Sequence, residues 1–374
     1  MVKNIVILEN NIISTLTVRS KLTRVLIDKG FNVTILTTGT ELQLQKAKDD
    51  GFNVIDVKSG TQNPFDIFRY MFNIRKAIKK CKADVCLTFT IRPAIWGNLM
   101  TRQLGIPTIT NITGVGPLFE SKKPAYKFAR LLYKISLKKT AKIFFQNKDD
   151  RELFLKNNFV VENVSSLIPG SGVDHDHFFP DNNIRPKDKF IFLFIGRLLK
   201  DKGIVEYIEA ARLIKKEYPD IEFRVIGPLW QQNLKENTIT EPQLRSWIDE
   251  AVINYYGEVL DVREHIASAT CIVLPSYREG TSNVLLEASS MERPCITTNT
   301  TGCKEIVEEG VTGFLCNVSD SYDLYVKMKK MFLLSEDNIV EMGKNAREKV
   351  KREFDKKIVI DAYIKAIETT ATNS

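Results

Sequence analysis

Short apolar runs alternate with helix-patterned segments along this chain, and the alternation starts twice. In the first half, Ile5-Leu8, Val33-Leu36, Val54-Val57, Val85-Thr88, Thr108-Ile112, Ile143-Phe145 and Val164-Ile168 read as strands. Helical patterns lie between them, notably at Thr15-Lys29, Pro64-Lys80, Pro93-Leu104 and Pro124-Thr140. Runs this short and this apolar suit strands covered on both faces, and strand–helix alternation gives a parallel sheet with helices on both sides. The alternation restarts after the polar stretch Asn182 to Asp188, with strands at Phe190-Ile195, Phe223-Ile226, Ile253-Tyr256, Cys271-Leu274, Cys295-Thr298 and Gly313-Cys316. Asn182 to Asp188 reads as a linker and Pro228 to Pro242 as a loop. The tail from Asp320 reads as helical, with Ile358, Ala362, Ile364 and Ile367 available for packing on its last helix. A chain of 374 residues is too long for one typical domain and suits two.

Ligands in such sheets bind beyond the carboxyl ends of the strands. The most informative stretch of that kind is Ser276 to Ala288. It follows the apolar run Cys271-Leu274 and leads into a helix over Val284 to Met291. Gly280, Thr281, Ser282 and Asn283 form the polar turn between them, and Ser282 or Asn283 is a natural N-cap. Free backbone N–H groups and the positive end of a helix dipole make such a turn an anion site. Two carboxylates frame it, Glu279 before the turn and Glu287 about one helical turn in. The residues alone also allow both to be solvated surface charges.

A second pair of charges stands where another strand ends. Gly196-Arg197 closes Phe190-Ile195, and Lys202-Gly203 opens the following helix. Arg197 and Lys202 are placed to grip a diphosphate, at roughly 1.5–3 kcal/mol per charged hydrogen bond. Gly227, at the end of the next strand, permits close ligand approach. In the first half, the loop Glu9 to Thr15 carries no G-x-G-x-x-G, which disfavours a nicotinamide dinucleotide fold. Arg92 follows the fourth strand and could hold a phosphate or stand as a surface charge. Thr113, Gly114 and Gly116 make a turn suited to close approach after the fifth.

Charge is unevenly placed. The net charge is +8, yet residues 1–170 hold 27 Lys+Arg against 13 Asp+Glu, while residues 171–374 hold 27 against 33. Part of the basic surplus is the run Lys122 to Lys142, which includes Lys127, Arg130, Lys134 and Lys138 and has no acid. Phe128, Leu131, Leu132, Ile135 and Leu137 interleave it near helical period. A basic amphipathic helix of this type either lies on an anionic bilayer surface or turns its apolar side to a core. No run of about 18 apolar residues predicts a membrane span, and the N-terminus does not read as a signal peptide. The six cysteines, without a C-x-x-C, read as reduced core residues of a cytosolic protein. His175 and His177 read as a solvated loop, and no metal site is legible.

The stretch Glu279-Gly280 to Glu287-Ala288 resembles the donor-site motif of the retaining glycosyltransferases of family 4. The resemblance extends to Gly196 through Gly203, Arg293-Pro294-Cys295-Ile296, Gly302 through Val307, Gly313-Phe314-Leu315, and Gly172-Val173-Asp174 with Phe178 and Pro180. It implies the GT-B fold, two Rossmann-like domains facing a central cleft. The domains expected are residues 1–180 for the acceptor and membrane side, 181–355 for the nucleotide-sugar, and 356–374 as a helix returning to the first domain.

It further implies a nucleotide-sugar donor, such as a UDP-N-acetylhexosamine or UDP-hexose. Arg197 and Lys202 would meet its diphosphate, Glu279 the sugar hydroxyls, Glu287 the ribose, and the backbone at Val259 the nucleobase. No metal cofactor is expected. Many family members carry a histidine about where Thr113 stands, and residues 1–170 contain none. That departure resembles the branch acting on polyprenyl-diphosphate-linked sugars in O-antigen, capsule or glycan assembly. The protein is then expected at the inner face of the cytoplasmic membrane, peripherally bound, with no nucleic-acid partner. A nucleotide-sugar epimerase of the same fold, or a non-catalytic nucleotide-sugar-binding partner of another transferase, remain the alternatives.

Overall fold

The structure, a computed structural model, describes residues 2–58, 63–115, 118–119, 124–181, 184, 189–230 and 237–372. Packing divides the chain into a first unit of Met1–Ser171 with Lys356–Ser374 and a second of Gly172–Asp355.

The first unit runs β1 (Asn4–Leu8), α1 (Ile12–Leu16), α2 (Ser20–Asp28), β2 (Asn32–Thr37), α3 (Glu41–Asp49), β3 (Asn53–Asp56), α4 (Pro64–Lys80), β4 (Val85–Phe89), α5 (Asn98–Gln103), β5 (Thr108–Ile112), α6 (Pro124–Leu137), β6 (Lys142–Phe145), α7 (Lys148–Lys156) and β7 (Ser165–Leu167). Its seven strands lie in the order β3-β2-β1-β4-β5-β6-β7, every pairing parallel. Alternate strand residues serve opposite cores. Ile5, Ile7, Val33, Ile35 and Ile109 face one set of helices, and Val6, Leu8, Leu36, Cys86 and Ile143 face the other. A buried polar cluster joins β4, α5 and β5. In it the Thr88 hydroxyl donates to Asn98 Oδ1 (3.0 Å) and Asn98 Nδ2 donates to Thr110 (2.9 Å).

The second unit runs β8 (Ile191–Ile195), α8 (Ile204–Glu217), β9 (Glu222–Ile226), α9 (Glu241–Asp249), β10 (Asn254–Tyr255), α10 (Arg263–Ser268), β11 (Cys271–Leu274), α11 (Asn283–Ser290), β12 (Cys295–Thr298), β13 (Gly313–Cys316), α12 (Ser321–Phe332) and α13 (Glu336–Glu353). Its six strands are ordered β10-β9-β8-β11-β12-β13, again all parallel. The last helix, α14 (Lys356–Thr372), belongs to the first unit. It buries Val359, Ile360, Tyr363, Ala366 and Ile367 in the core that holds Ile5 and Ile7. Ile358, read as part of its packing face, is instead exposed.

Several expectations are corrected. The helix read over Thr15-Lys29 is two, α1 and α2, broken at Thr17–Arg19. The break turns Arg19 inward, where its Nε lies 2.7 Å from Glu9 Oε1 and its guanidinium sits 4.1 Å over the Phe89 ring. The segment read as helical from Pro93 begins with a π-type turn over Pro93–Gly97, and a helix in the loop read over Pro228 to Pro242 begins at Glu241. The division between units falls at Ser171, earlier than residue 180. Residues 172–180 are tied to the second unit: Val173 N–H donates to Phe354 O (2.9 Å), and the Ser290 hydroxyl donates to Phe178 O (2.7 Å). The linker read over 182–188 lies, except for residue 184, outside the described residues.

His175 is half-buried rather than solvated, with its Nδ1 2.8 Å from Ser290 Oγ. All six cysteines are free thiols, buried except for the partly exposed Cys81. Among the described residues no helix is long and apolar enough to cross a membrane.

Candidate functional site

In both sheets the strand order reverses direction beside the first strand of the unit. In the second unit that point lies between β8 and β11, so the loops leaving these two strands are neighbours at the carboxyl edge. Close packing there depends on glycine. Gly203 caps α8 with φ +74°, and a Cβ on it would stand 2.1 Å from Pro275 O. Gly227 has φ +141°, and a Cβ would meet Gly196 O at 1.8 Å. Gly302, at φ +81°, comes as close to the backbone of Glu279. Each contact forbids a side chain and brings two loops within hydrogen-bond reach. The carbonyl of Asp201 then accepts from Tyr277 N–H (2.8 Å) and the Ser276 hydroxyl (3.2 Å). Glu279 N–H donates to Thr301 O (3.0 Å) and Ser282 N–H to Gly302 O (3.0 Å).

This framework joins two residues that are 77 apart in sequence. Lys202 Nζ lies 2.5 Å from Glu279 Oε1, with side chains 16% and 17% exposed. In an ion pair so nearly enclosed, removal of either partner leaves the other's charge poorly solvated, and each partner fixes the other's position. Arg197 is exposed, its guanidinium 5.0 Å from the centre of the Trp230 ring. That stacking orients a long side chain that sequence alone leaves unplaced. Glu287 is half-buried in α11, four residues after Asn283 at the helix start. Val259 is half-buried and packs on the core, following Gly257, whose carbonyl accepts from Gly227 N–H (2.8 Å).

Ser282 departs from the ligand role read for it. It is buried, its N–H serves Gly302, and its hydroxyl caps α11 by accepting from Leu285 N–H (3.4 Å). Gly280 is buried and Thr281 half-buried, with the Thr281 hydroxyl 2.9 Å from Gly280 O.

Sequence reasoning missed Trp230, Tyr277 and Glu206. The Tyr277 hydroxyl donates to Glu206 Oε1 (2.7 Å) and lies 3.2 Å from Ser319 Oγ. Burial, and then the bond to Glu206, raise the Tyr277 pKa. A tryptophan in a loop rich in Gln, Asn and Lys was a usable signal. The Tyr277–Glu206 bond had none, because it spans 71 residues.

In the first unit the corresponding reversal lies between β1 and β4. Glu9, just beyond β1, is 1% exposed, and its Oε2 has no hydrogen-bond partner among the described residues. Burial pushes its pKa up to about 7 despite the Arg19 guanidinium beside it. Beyond β4, Thr90 takes φ +68°, a conformation that side chains disfavour. Arg92 follows, half-buried and 5.3 Å over the Tyr70 ring. Within β5, Asn111 Nδ2 donates to the Tyr363 hydroxyl (2.7 Å), and beyond the strand Thr113 and Gly114 are half-buried, Gly114 at φ +126°. Gly116 lies outside the described residues. Arg92, Thr113 and Gly114 therefore share the carboxyl edge of adjacent strands, with Glu9 and Arg19 beneath them.

Lys127 on α6 and Lys138 just past its end are exposed. Arg130 is half-buried and donates to Leu118 O (2.7 Å), and Lys134 sits 5.8 Å over the Phe159 ring. Phe128 and Leu131, read as part of a single apolar stripe, are exposed, while Tyr133 and Leu137 are buried. Lys122 and Lys123 lie outside the described residues. No group of His, Cys, Asp or Glu able to hold a metal ion occurs among the described residues.

Fold and site define a two-unit parallel α/β protein with a Lys202–Glu279 ion pair at the reversal of its second sheet. Two family models match it in succession, the glycosyl transferase 4-like model over residues 6–147 and the glycosyl transferases group 1 model over residues 176–349, and the chain belongs to these glycosyltransferases. One relative is the N,N'-diacetylbacillosaminyl-diphospho-undecaprenol alpha-1,3-N-acetylgalactosaminyltransferase of Campylobacter jejuni. It is 25% identical over 351 residues, covering 88% of this chain and 89% of that protein. Another is the UDP-Gal:alpha-D-GlcNAc-diphosphoundecaprenol alpha-1,3-galactosyltransferase of Escherichia coli, 28% identical over 76% of this chain and 75% of that one. Sucrose-phosphate synthase of Thermosynechococcus elongatus superposes with a TM-score of 0.83 at 17% identity, covering 100% of both chains. HepE of Anabaena, solved with UDP and glucose, does so with 0.81 at 14%, covering 98% of this chain and 100% of that one. At these identities the likeness is one of fold, and the fold is GT-B.

Proposed function

We propose that this glycosyltransferase moves a sugar from a UDP-sugar to a polyprenyl-diphosphate-linked sugar during surface polysaccharide or glycan assembly. The observation that carries the reading is the Lys202–Glu279 couple, 2.5 Å apart where the second sheet reverses, with Arg197 braced on Trp230 nearby. The relatives named for undecaprenyl-diphosphate-linked substrates support the acceptor class.

Charge dictates the roles. A departing nucleoside diphosphate gains negative charge in the transition state. Cations held in place beforehand favour that state over the ground state. Lys202 is fixed by Glu279 through one N–H, which leaves its other ammonium hydrogens for phosphate oxygens. Arg197 offers a planar fork for the same group. Glu279 also accepts from the donor sugar's hydroxyls, Glu287 holds the ribose, and the backbone at Gly227 and Val259 borders the base. Gly280, Thr281 and Asn283 line the phosphate turn, with Ser282 shaping it from within. These cations supply the charge a metal would, so transfer proceeds without a divalent ion.

Retention follows if the acceptor hydroxyl attacks from the face the phosphate leaves. The anomeric carbon–phosphate bond breaks as the bond to the acceptor oxygen forms, and the leaving phosphate oxygen takes the hydroxyl proton. Arg92, Thr113 and Gly114 meet the acceptor in the first unit, where Arg92 is charged for its diphosphate. The exposed Lys127 of α6 and Lys138 just past its end, with Arg130 and Lys134 between them, adsorb this unit to the anionic inner face of the cytoplasmic membrane.

The test is thermal unfolding against UDP-, GDP- and ADP-sugars, followed by transfer assays with polyprenyl-diphosphate acceptors in chelator. A ligand at about 100 times its dissociation constant adds about 2.7 kcal/mol, a clear shift. A shift with UDP-sugars alone, and chelator-resistant product of retained configuration, is expected. Epimerised donor without transfer would replace the reading with an epimerase. Binding without any turnover would replace it with a non-catalytic partner.

A further inference from the structure

Helix α4 carries an aromatic face that nothing among the described residues of its own unit covers. Phe65, Phe68 and Phe72 are 87%, 70% and 65% exposed. Their spacing puts all three on one side of the helix, opposite Tyr70, Ile74, Ala77 and Ile78, which are buried on the sheet. The exposed side continues as Arg75, Lys76, Lys79 and Lys80, with Arg69 alongside the aromatic turns. The single acid of the helix, Asp66, is engaged at its start. It accepts from Asn63 Nδ2 (3.0 Å) and pairs with Arg69 (3.0 Å). The outward face is therefore apolar for two turns and cationic for two.

A second helix repeats the pattern on the same side of the sheet. Helices α4, α5 and α6 cover the face that carries Val6, Leu8, Cys86, Ile143 and Phe145, α5 packing against both of the others. On α6, Phe128 (62%) and Leu131 (54%) stand exposed beside Lys127. Soluble surfaces seldom present such clustered aromatics, and a protein partner that matched them would have to leave the cations unanswered or carry acids to meet them. An anionic bilayer answers both, because aromatic rings enter the headgroup–acyl boundary while lysines and arginines stay at the phosphates.

We propose that α4 is an insertion element: Phe65, Phe68 and Phe72 enter the bilayer interface, and Arg75, Lys76 and Lys79 hold anionic lipid headgroups. The inference deepens the membrane reading given for α6, which is adsorption by charge, by adding burial of side chains below the headgroups. It rests on residues assigned to neither candidate ligand site; the ring of Tyr70, on the opposite face of the same helix, lies 5.3 Å from the Arg92 guanidinium.

Co-sedimentation of the full chain with vesicles of phosphatidylglycerol and phosphatidylcholine tests it, alongside a transfer assay with a short-chain, water-soluble acceptor. The triple change Phe65→Ser, Phe68→Ser, Phe72→Ser is expected to weaken vesicle binding about 100-fold and leave transfer to the soluble acceptor unchanged. A second variant, Arg75→Glu, Lys76→Glu, Lys79→Glu, is expected to reduce the preference for phosphatidylglycerol over pure phosphatidylcholine, and an unchanged preference would overturn the headgroup role of these residues. Phe72→Trp fluorescence should shift to the blue on vesicles that bind.

Vesicle binding by the serine variant equal to that of the original chain would overturn the proposal, as would an original chain that binds no vesicles. So would a dimer of the original chain that the serine changes dissociate, since the face would then be a contact between copies. In each of these cases transfer to the soluble acceptor still reports separately on the glycosyltransferase reading.

Discussion

Both units place a carboxylate just beyond the strand edge where their sheet reverses, and they treat it in opposite ways. In the second unit Glu279 keeps 17% of its side chain exposed and faces Lys202 across two loops. In the first, Glu9 is closed off at 1% exposure against Arg19, and burial lifts its pKa to about 7. The two carboxylates stand on opposite sides of the reversal, Glu9 after β1, the counterpart of β8, and Glu279 after β11, the counterpart of β4, and exposure decides what each can do. A partly open ion pair can exchange one of its contacts for a ligand. A sealed one can only shape the loop above it. Arg92, one strand over from Glu9, is half-buried rather than sealed.

Lys202→Ala tests the open half of the comparison and should have the largest effect. Loss of a transition-state cation is expected to lower kcat about 100- to 1000-fold. Near-original turnover would remove Lys202 from the chemistry and, with it, the contrast. Glu279→Gln is the companion. It should cut transfer while UDP binding stays close to that of the original chain, because the diphosphate contacts belong to Lys202 and Arg197. Loss of UDP binding would move Glu279 from the sugar to the nucleotide.

Gly227→Ala asks how far the open site depends on close backbone packing. A Cβ there would stand 1.8 Å from Gly196 O at φ +141°. The backbone must shift, and a loss of about 3–4 kcal/mol in urea unfolding is expected. Gly51→Ala is the control in the first unit: its φ is +86° but nothing lies within 4 Å of the added carbon. Its cost should stay at about 1 kcal/mol, from backbone conformation alone. Equal costs would mean that crowding at the second unit's site is not what holds its loops.

Glu9 provides the pH test of the sealed half. Its folded pKa is raised from 4.5 to about 7, mainly by burial. The folded state then holds a proton that the unfolded state has lost between these values. The stability this group contributes is complete below about pH 4.5 and is lost as pH rises through about 7, on the order of 3 kcal/mol across the window. Glu9→Gln should flatten that segment of the stability–pH curve. An unaltered slope would show that Glu9 is ionised in its pocket and that the two units do not differ as argued.

The second unit was largely legible in sequence, because its site is built from local motifs. The turn Gly280–Asn283, the Gly196–Gly203 segment and the flanking strands carry their geometry within a few residues of one another. The Lys202–Glu279 pair was legible as two motifs, though not as a contact, since only the parallel neighbouring of β8 and β11 joins them. Ser282 is the N-cap that its residue type suggested, but its N–H, read with the rest of the turn as free for an anion, bonds to Gly302 O, a partner no local pattern announces.

In the first unit, strands and helices were legible and the interior was not. Arg19 lay inside a smooth helical pattern, and nothing local announced that it would break the helix to reach Glu9. In α14, Ile367 is buried and Ala362 and Ile364 pack against that core as read, and only Ile358 falls on the wrong side. Ile358 looked as apolar as Val359, and only the side that faces the sheet distinguishes them.

The smallest expected effect concerns that helix. Tyr363 is fully buried, stacks edge-on against Phe144 with ring centres 5.0 Å apart, and accepts from Asn111 Nδ2 at 2.7 Å. Tyr363→Phe keeps the ring and removes the oxygen. Asn111, whose Oδ1 already has no hydrogen-bond partner among the described residues, would then have a buried amide with less to bond. The cost expected in urea unfolding is about 1–2 kcal/mol, with the pH slope assigned to Glu9 unchanged. If the slope changed as well, Asn111 and Glu9 would form one buried network. The closed half of the comparison would then extend from β1 through β5 to the last helix, rather than ending at a single ion pair.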